Sequence, residues 1–529
     1  MNRNYLYIFL VCLFSAIIYL GAEYFFTNGQ MGVPLDDTWI HFRFADNFSH
    51  GYFYQYNTGE YTAGTTSPLY VIVLGMTSFI IKNYIINSLF LSFLFYLLSC
   101  IYIYRTSLLI FKNNSADPVG FSSFKISAEN FALLISLVTA ITGRVVWSAM
   151  SGMETTMFMF FSILGVYYHI KNLKDGKFTI FPALLFALAT VSRPEGFLLS
   201  ALYFFDVIMI SLNEKNFKDI FFKFISALLI FGMITFPYLI FSYNISGHFF
   251  PNTFRGQGGG TNYFPDLTFL RIAFTLFFRD NLITGLLYVF AFIFYLKRIR
   301  YYFSKLRYLN LIFLWVLVLP LVMSVLIPNW RHHVRYMIPL IPFINLITVY
   351  LMFYILDLKF AGFLKKYMNN VKRVTAVLLI FSVPYFLVFA VALGKNTDNI
   401  NSQQVKLAKW VSQNVGRNET IAINDIGAIT FLNGNKIIDM AGLVTPEILR
   451  YRQYMWKDNL DSLNYLLKKN NVSYIIIYDH WFREYIDKYG YQMEFITSAI
   501  LDENTICGGK EMKVYKTNFN KFKNETLEN

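Results

Sequence analysis

The sequence is poor in charged residues and in cysteine. Only 15% of its 529 residues are charged, against 56% that are hydrophobic, and it contains three cysteines. Cys12 and Cys100 lie in apolar stretches and Cys507 stands alone near the end of the sequence, so no disulfide framework is visible. The short alternating segments of a closed β-barrel are also missing. Long apolar runs are abundant instead, and they are typical of a polytopic membrane protein.

These apolar runs predict α-helices that cross the membrane, because each can span roughly 30 Å of hydrocarbon. We predict an α-helical polytopic membrane protein with about 10 to 12 membrane segments. The first run is long for a signal peptide and lacks a clear cleavage site, so we interpret it as a retained span. The clearest spans are residues 5–26, 84–111, 131–147, 221–241, 309–327, 336–356 and 374–393.

Residues 68–81 and 180–210 are apolar but less regular. The first stretch is short and contains Gly75, and the second is interrupted by the string SRPEG at 192–196. Proline and glycine at such points indicate broken or re-entrant membrane segments. We therefore expect 68–81 not to cross the membrane and 180–210 to form a broken helical hairpin.

The distribution of positive charge predicts the orientation of the chain. The formal net charge is +14. Basic residues lie mainly beside the spans, so the positive-inside bias explains them better than nucleic-acid binding does. The basic loops at 297–307 and 357–373 are predicted to be cytoplasmic. The turn at 329–335 and the region after residue 394 then lie on the external face.

From Lys395 onward the composition changes to that of a soluble protein. The hydrophobic patterns predict two helices, at 403–415 and 458–469, and three strands, at 420–424, 436–440 and 474–478. Gly427 alone does not make a phosphate-binding loop. The sequence thus predicts a transmembrane domain at 1–394, with a first external loop at 27–66, and a small extracytoplasmic α/β domain at 395–529.

The first external loop carries two adjacent carboxylates, Asp36 and Asp37. His41, Arg43 and Asp46 follow at roughly helical spacing, so one face of a short interfacial helix can carry an imidazole and a guanidinium beside the carboxylates. Adjacent side chains diverge by about 100° on a helix. One carboxylate can then accept a proton from a hydroxyl while the other orients a partner or binds a metal. A solvated acidic loop is the alternative.

The turn at 329–335 is a second polar cluster, with two arginines and two histidines on the predicted external face. The guanidinium of Arg335 could pair with a phosphate in bidentate fashion, and the imidazoles of His332 and His333 would add donors. Snorkelling to lipid headgroups is the alternative. Zinc binding by the two histidines is disfavoured, because no third ligand is near in the sequence.

Three more charged residues lie in or beside apolar stretches. A charge at membrane depth costs about 2.5 to 3.5 kcal/mol, so each needs a partner or a water-filled cavity. Glu154 opens a span, where it either answers the helix dipole or serves as an acid in a catalytic cavity. Arg193 and Glu195 flank a proline, and they form either a buried structural ion pair or a substrate contact.

Seven strings occur in order along the chain: LDDTWIHFRFADNF, NTGEYTAGTTSPLY, SGMETTMF, SRPEGF, FPNTF, HHVRYMIPLIP and NDIGAITFLNGNKIIDMAGL. Together they resemble the GT-C superfamily of integral-membrane glycosyltransferases. Within it, the resemblance is to the group that includes the mycobacterial terminal β-arabinofuranosyltransferase. It runs from Asp36 to Leu443, which is most of the chain.

The resemblance implies transfer of a sugar from a polyprenyl-phosphate donor to a glycan or glycolipid acceptor. The expected place is the extracytoplasmic face of a bacterial inner (plasma) membrane. By position, Asp36 would be the catalytic base, with Asp37 as its neighbour and substitute. Glu154 matches an acidic position that helps bind a metal in some members, so a divalent metal ion is left open and no other cofactor is expected.

Other residues take their implied roles from the same resemblance. Arg335 would contact the donor phosphate, and the region after Lys395 would shape an acceptor groove. Glycine-rich GQGGG follows FPNTFR where a lysine-bearing sequence is expected, which puts a role for that loop in doubt. The substrate-binding residues that we predict in total are His41, Arg43, Glu154, Arg193, Glu195, His332, His333 and Arg335.

The chemistry agrees with these residues. An acceptor hydroxyl that attacks the anomeric carbon needs a base, and the departing phosphate needs positive charge. A single displacement would invert the anomeric centre. The alternative functions are a lipid-linked saccharide transporter and a non-catalytic carbohydrate-binding membrane protein. No inverted halves are visible in the sequence, which argues against a transporter.

Overall fold

Helices dominate the protein, and a small sheet lies near the end of the chain. The structure is a computed structural model, and it describes residues 3–111, 127–211, 217–252, 263–297, 307–357, 371–451 and 459–520. The basic loops that predict the orientation, and the stretch GQGGG, lie wholly or mostly outside the described residues.

The helices of the described part follow one another closely along the chain. Up to residue 357 the α-helices are Arg3–Phe26, Asp36–Ser49, Pro68–Thr77, Tyr84–Phe111, Ala128–Ala140, Gly143–Ala149, Thr155–Lys174, Phe181–Ser192, Gly196–Ser211, Phe217–Ser246, Leu267–Asp280, Leu282–Lys297, Arg307–Leu326, Arg331–Val334 and Ile341–Asp357. A 3-10 helix, Arg335–Leu340, joins the last two. The later α-helices are Val371–Ile400, Lys406–Asn414, Gly427–Asn433, Glu447–Tyr451, Leu460–Lys469 and Arg483–Tyr489.

Six helices in the described ranges are long and apolar enough to cross a membrane, and a bent pair would make a seventh span. The six are Arg3–Phe26, Tyr84–Phe111, Phe221–Ser246, Arg307–Leu326, Arg331–Leu356 and Arg373–Asn414. The bent pair is Ala128–Ala140 with Gly143–Ala149, which meet at 65°. Each of the seven clearest predicted spans thus coincides with one of these segments. The chain is an integral membrane protein, as predicted.

The two irregular apolar stretches form short helices. Pro68–Thr77 has 10 residues, which is about 15 Å of helix and half the thickness of the hydrocarbon core. Phe181–Ser192 and Gly196–Ser211 are separated by residues 193–195. Arg193 is in an extended conformation at this break, as expected for a residue that precedes proline. The break therefore falls where the sequence predicts it.

The chain divides into two compact units. Unit 1 consists of Met1–Ala22, Leu89–Pro237 and Gly260–Val391, and unit 2 consists of Glu23–Ser88, Tyr238–Gly259 and Ala392–Asn529. Unit 2 thus contains the first loop as well as the C-terminal region. The predicted domain boundary after residue 394 stays a prediction.

The C-terminal region of unit 2 contains a five-stranded mixed sheet of order β2-β1-β3-β5-β4. Its strands are β1 (Thr420–Ile423), β2 (Ile437–Asp439), β3 (Val472–Ile477), β4 (Met493–Ile500) and β5 (Glu511–Thr517). β1 pairs in parallel with β2 and β3, whereas β5 is antiparallel to β3 and β4. The three predicted strands are therefore present.

Apolar side chains explain why helices cover this sheet. The helix Leu460–Lys469 buries Leu463 and Leu467 against Val472 and Ile475 of β3. Its apolar positions recur every three or four residues and place one stripe on the sheet. The result is a small α/β domain, which we call the C-terminal sheet domain and which matches the predicted fold class.

Candidate functional site

The first-loop helix, Asp36–Ser49, begins with both acidic residues of the first loop. Leu35 precedes it in an extended conformation. The carboxylates of Asp36 and Asp37 lie in its first turn, where they interact favourably with the positive end of the helix dipole. Trp39 and Phe42 are buried, so an apolar stripe fixes the helix within unit 2.

Asp36 is bound by backbone groups of the C-terminal sheet domain. The amide of Gly427 donates a hydrogen bond of 2.7 Å to Oδ2, and the amide of Ala428 donates one of 2.8 Å to Oδ1. A Cβ at position 427 would overlap the backbone carbonyl oxygen of Asp36. Only glycine therefore permits this approach. Gly427 serves in the structure as a close-contact site for a carboxylate of the same chain.

The position of these amides follows from the topology of the sheet. The chain leaves β1 through the helix Gly427–Asn433 to reach β2, and it returns past β1 to β3 on the other side. Such a reversal of strand order creates a crevice at the carboxyl ends of parallel strands, where open α/β sheets bind ligands. The carboxylate of Asp36 lies at this crevice, since its donors follow directly after β1.

A second carboxylate, that of Asp425, belongs to the same crevice. The hydroxyl of Tyr478 donates to its Oδ2 at 2.8 Å, and the side-chain amide of Gln404 donates to the same oxygen at 2.9 Å. The side-chain amide of Asn424 donates to Oδ1 at 3.2 Å. Polar side chains that directly follow β1 and β3, together with that of Gln404, therefore hold Asp425 beside the first-loop helix.

Burial and repulsion change the acidity of Asp36. Burial is the main cause that raises its pKa, and the negative charge of Asp425 raises it further. The hydrogen bonds from the amides of Ala428 and Gly427 oppose the rise, because they stabilise the carboxylate. The net effect is a pKa of about 8 for Asp36. Its protonated form therefore predominates at pH 7.

Tyr56 and Arg43 join the first loop to the same turn of the C-terminal sheet domain. The hydroxyl of Tyr56 donates a hydrogen bond of 2.7 Å to the carbonyl oxygen of Ile426, and Arg43 donates through Nε to the carbonyl oxygen of Tyr56 at 3.1 Å. The guanidinium of Arg43 thus supports the loop that orients Asp36. His41 is buried, and its ring packs edge to face on Tyr70 with centroids 5.4 Å apart.

Unit 1 brings together the three charged residues that the sequence predicts in apolar stretches. Arg193 donates through Nη1 to Glu154 at 2.5 Å and through Nη2 to Glu195 at 2.9 Å. All three side chains are buried. Nη1 of Arg193 also donates to the hydroxyl of Thr155 at 3.2 Å. The predicted ion pair is therefore present, with Glu154 as an additional member.

Arg335 lies beside this network. It is buried, at 7% exposure, so it does not snorkel to the surface as the alternative interpretation requires. The guanidinium carbons of Arg193 and Arg335 lie 5.0 and 5.6 Å from the centroid of the Tyr336 ring. Cations near one aromatic face are stabilised by its quadrupole. Unit 1 therefore holds two guanidiniums and two carboxylates in a small buried region.

The two predicted histidines precede Arg335 in an unusual backbone conformation. His332 and His333 have φ angles of 53° and 59°, and Val334 has 52°. The ring of His333 packs edge to face on Trp147 and Phe389, with centroids 4.8 and 5.3 Å away. Its carbonyl oxygen accepts a hydrogen bond from Arg144, which forms a buried ion pair with Asp280.

Within the described ranges, no group of three or more His, Cys, Asp or Glu side chains could hold a metal ion. A divalent metal ion therefore stays a prediction.

Sequence reasoning missed Asp425 and the buried pair of Arg144 with Asp280. Asp425 follows a predicted strand directly, and polar residues at the carboxyl end of a parallel strand are a known signal of a site. Arg144 lies inside the predicted span 131–147. A charge at that depth indicates a function or a partner.

These features define the class of the fold, a helical membrane protein with a small C-terminal sheet domain. The chain is similar to ArnT from Cupriavidus metallidurans bound to undecaprenyl phosphate, with a TM-score of 0.59 and 11% identity over 96% of this chain and 98% of that one. The same protein in its apo state gives a TM-score of 0.60 and 12% identity, over 96% of this chain and 97% of that one.

The archaeal oligosaccharyltransferase AglB from Archaeoglobus fulgidus, in complex with an inhibitory peptide and a dolichol-phosphate, is also similar. The TM-score is 0.57 at 11% identity, over 89% of this chain and 69% of AglB. A family profile described as "Domain of unknown function (DUF8728)" matches residues 398–515, which include β1 to β4 and most of β5. No curated protein sequence matches the chain significantly. At such low identities the similarities establish the fold.

Proposed function

We propose that this chain is a membrane glycosyltransferase that moves a sugar from a polyprenyl-phosphate donor to a glycan or glycolipid acceptor. The observation that carries this proposal is the similarity over 96% of the chain to a structure that holds undecaprenyl phosphate. Both similar proteins are described with a polyprenyl or dolichol phosphate. The carboxylate of Asp36 and the guanidinium of Arg335 support it, because such a transfer needs a base and a cation.

The carboxylate of Asp36 is our choice for the base that takes the proton of the acceptor hydroxyl, with Asp37 as its neighbour. Two backbone amides orient Asp36, and each carboxylate oxygen can accept more than one hydrogen bond. Its pKa of about 8 is closer to that of a general base working near neutrality than the ordinary value of an aspartate. A single displacement at the anomeric carbon would then invert its configuration.

Arg335 is our choice for the contact to the donor phosphate. Two carboxylates already bind Arg193, so that guanidinium is engaged as a structural partner. Arg335 lies next to it in the same buried region. A guanidinium can bind two oxygens of one phosphate at once and stabilise the charge that develops as the sugar leaves. His332 and His333 stay predicted substrate-binding residues.

The finer assignments follow the sequence resemblance. We propose a bacterial inner membrane, an active site on the extracytoplasmic face and an acceptor groove shaped by residues 395–529. A kinship with the mycobacterial terminal β-arabinofuranosyltransferase group makes a pentosyl donor one candidate beside hexosyl donors.

Release of polyprenyl phosphate by the purified full chain tests the proposal. Proteoliposomes would be given a panel of polyprenyl-phosphate pentoses and hexoses together with membrane glycan extracts as acceptors. We expect Arg335→Gln to lower the release at least about 100-fold, as removal of a transition-state charge partner does. Arg331→Gln is the matched control, since this exposed residue lies on the same turn.

Asp36→Asn should lower the release to a similar extent. Because Asp36 also binds two backbone amides, Tyr56→Phe is its control, which weakens the same contact and leaves the carboxylate in place. A transporter or a carbohydrate-binding protein predicts donor binding without release. The proposal fails if mass spectrometry finds unchanged surface glycans in cells that lack the chain. It also fails if Asp36→Asn and Arg335→Gln both transfer sugar at the wild-type rate.

A further inference from the structure

Three consecutive residues that are not glycine adopt the left-handed conformation just before Arg335. They are His332, His333 and Val334, with φ angles of 53°, 59° and 52°. L-residues rarely adopt this conformation even singly, and a β-branched valine does so least readily. Such a run persists only where the surrounding structure holds it, and strain of this kind is concentrated at functional sites. The turn therefore needs a clamp.

Arg144 and Asp280 provide that clamp from two other helices. The guanidinium of Arg144 donates through Nη1 to the carbonyl oxygen of His333 at 3.1 Å. It donates through Nε to Oδ1 of Asp280 at 2.8 Å and through Nη2 to Oδ2. Arg144 is completely buried and Asp280 is 4% exposed. The planar fork of arginine alone can bind a carboxylate with two nitrogens and reach a carbonyl with the third.

The surroundings make this arrangement rigid. Asp280 is the last residue of the helix Leu267–Asp280, and the guanidinium carbon of Arg144 lies 5.2 Å from the centroid of the Phe277 ring on the same helix. Trp147 and Phe389 hold the His333 ring from two sides. Both the backbone and the side chain of His333 are thus fixed.

A buried ion pair does not usually make a protein more stable than a well-packed apolar pair would. Its geometry is the better reason for its presence here. The turn ends where the 3-10 helix Arg335–Leu340 begins. The backbone of His333 and Val334 therefore sets the direction in which the side chain of Arg335 extends from the backbone. Relaxation of the turn would move Arg335 relative to Arg193 and the Tyr336 ring.

We propose that Arg144 and Asp280 are positioning residues that hold the left-handed turn at 332–334 and thereby fix Arg335 in a phosphate-binding geometry. The part that concerns phosphate rests on the proposed function. The part that concerns the turn stands independently of it, and the two are tested by separate measurements.

Hydrogen exchange of the full chain in nanodiscs reads the turn directly. Arg144→Lys keeps the charge and loses the fork, and Asp280→Asn removes the anion. We expect both to speed amide exchange in a peptide covering 331–340 at least tenfold. Asp206→Asn is the matched control, because it perturbs another buried pair of unit 1, with His169 at 2.8 Å, and leaves the turn intact. Equal exchange in all four proteins overturns the proposal.

Binding of polyprenyl phosphate then tests the consequence for Arg335. We expect Arg144→Lys and Asp280→Asn to weaken binding at least tenfold, and Asp206→Asn to change it less than twofold. Val334→Gly separates positioning from general damage, because glycine adopts a positive φ without strain. In a double-mutant cycle, the variant that carries both Arg144→Lys and Val334→Gly should bind polyprenyl phosphate at least threefold more tightly than Arg144→Lys alone.

The outcomes are distinct. The positioning role is overturned if Val334→Gly recovers no affinity in the double-mutant cycle. It is also overturned if Arg144→Lys and Asp280→Asn speed amide exchange but bind polyprenyl phosphate as tightly as the wild type. If the wild-type chain itself binds no polyprenyl phosphate, the proposed function fails, and the exchange data still decide whether Arg144 and Asp280 hold the turn.

Discussion

Replacing Gly427 with alanine perturbs the contact between the first-loop helix and the C-terminal sheet domain at its tightest point. The new Cβ would overlap the backbone carbonyl oxygen of Asp36 and lie 2.7 Å from its Cγ. A relaxed contact of roughly 3.5 Å between the new Cβ and the Cγ of Asp36 requires about 0.8 Å of movement. Because the carbonyl oxygen of Asp36 belongs to the backbone, rotation of a side chain cannot relieve the overlap. The helix must therefore move.

A shift of that size breaks both hydrogen bonds to Asp36, which measure 2.7 and 2.8 Å. With a pKa of about 8, Asp36 is largely protonated at pH 7, and a hydrogen bond between neutral groups contributes about 0.5 to 1.5 kcal/mol. We therefore expect the loss of both bonds to cost about 1 to 3 kcal/mol at pH 7. Misplacement of a reacting group by about 1 Å lowers rates on the order of 100-fold. Gly427→Ala should thus lose most sugar transfer.

Thermal unfolding of the solubilised chain and release of polyprenyl phosphate measure the two effects. Gly416→Ala is the control in the same domain, because its Cβ would lie 3.2 Å from the flexible side chain of Glu419. We expect the control to unfold and react like the wild type. Wild-type unfolding and wild-type transfer in Gly427→Ala would refute the close contact between Gly427 and Asp36.

Three further predictions concern the same crevice. The pKa of Asp36 is raised above its ordinary value to about 8, so the ionised base accumulates as pH rises. We expect kcat/KM to increase from about pH 6.5, to reach half of its maximum near pH 8 and to level off above about pH 9; a flat profile would contradict this. Asp425→Asn removes the repulsive charge, and the rising limb should move down by about one pH unit; an unmoved limb would exclude Asp425 from the acidity of the base. Tyr56→Phe removes the donor to Ile426 and should lower the unfolding free energy by about 0.5 to 1.5 kcal/mol, which denaturant titration measures, with less than a tenfold loss of transfer.

The membrane-spanning helices are predictable because their signal is local. A run of apolar side chains has to be long enough for the hydrocarbon, and proline or glycine marks its interruptions. The break at 193–195 and the ten-residue helix Pro68–Thr77 follow from this rule. Helix spacing in a loop is equally local, and the first-loop helix Asp36–Ser49 confirms it.

Strands of the C-terminal sheet domain were predictable only where both faces are buried. β1 and β3 are apolar along most of their length, as expected for central parallel strands. β4 and β5 are antiparallel, and charged residues such as Glu494 and Lys513 alternate with apolar ones. A half-exposed strand of this kind carries a weaker signal than a buried one.

The partners of the site residues are not predictable from local patterns, because they come from distant parts of the chain. Asp36 and Gly427 are 391 positions apart, and nothing in either string refers to the other. Arg144 and Asp280 are an intermediate case. Each is a charge inside or beside an apolar stretch, and two opposite charges in such places predict a pair, although not its contact with the backbone of His333.

The carboxylate of Asp36 fills a place in the C-terminal sheet domain where related topologies accept a free anion. The chain thus places one of its own carboxylates in the crevice at the carboxyl ends of β1 and β3. A fragment containing only residues 398–515, the extent of the matched family profile, would lack this plug and leave the amides of Gly427 and Ala428 open to solvent. Binding of a soluble anion such as inorganic phosphate to that fragment would therefore say nothing about the substrate of the whole protein.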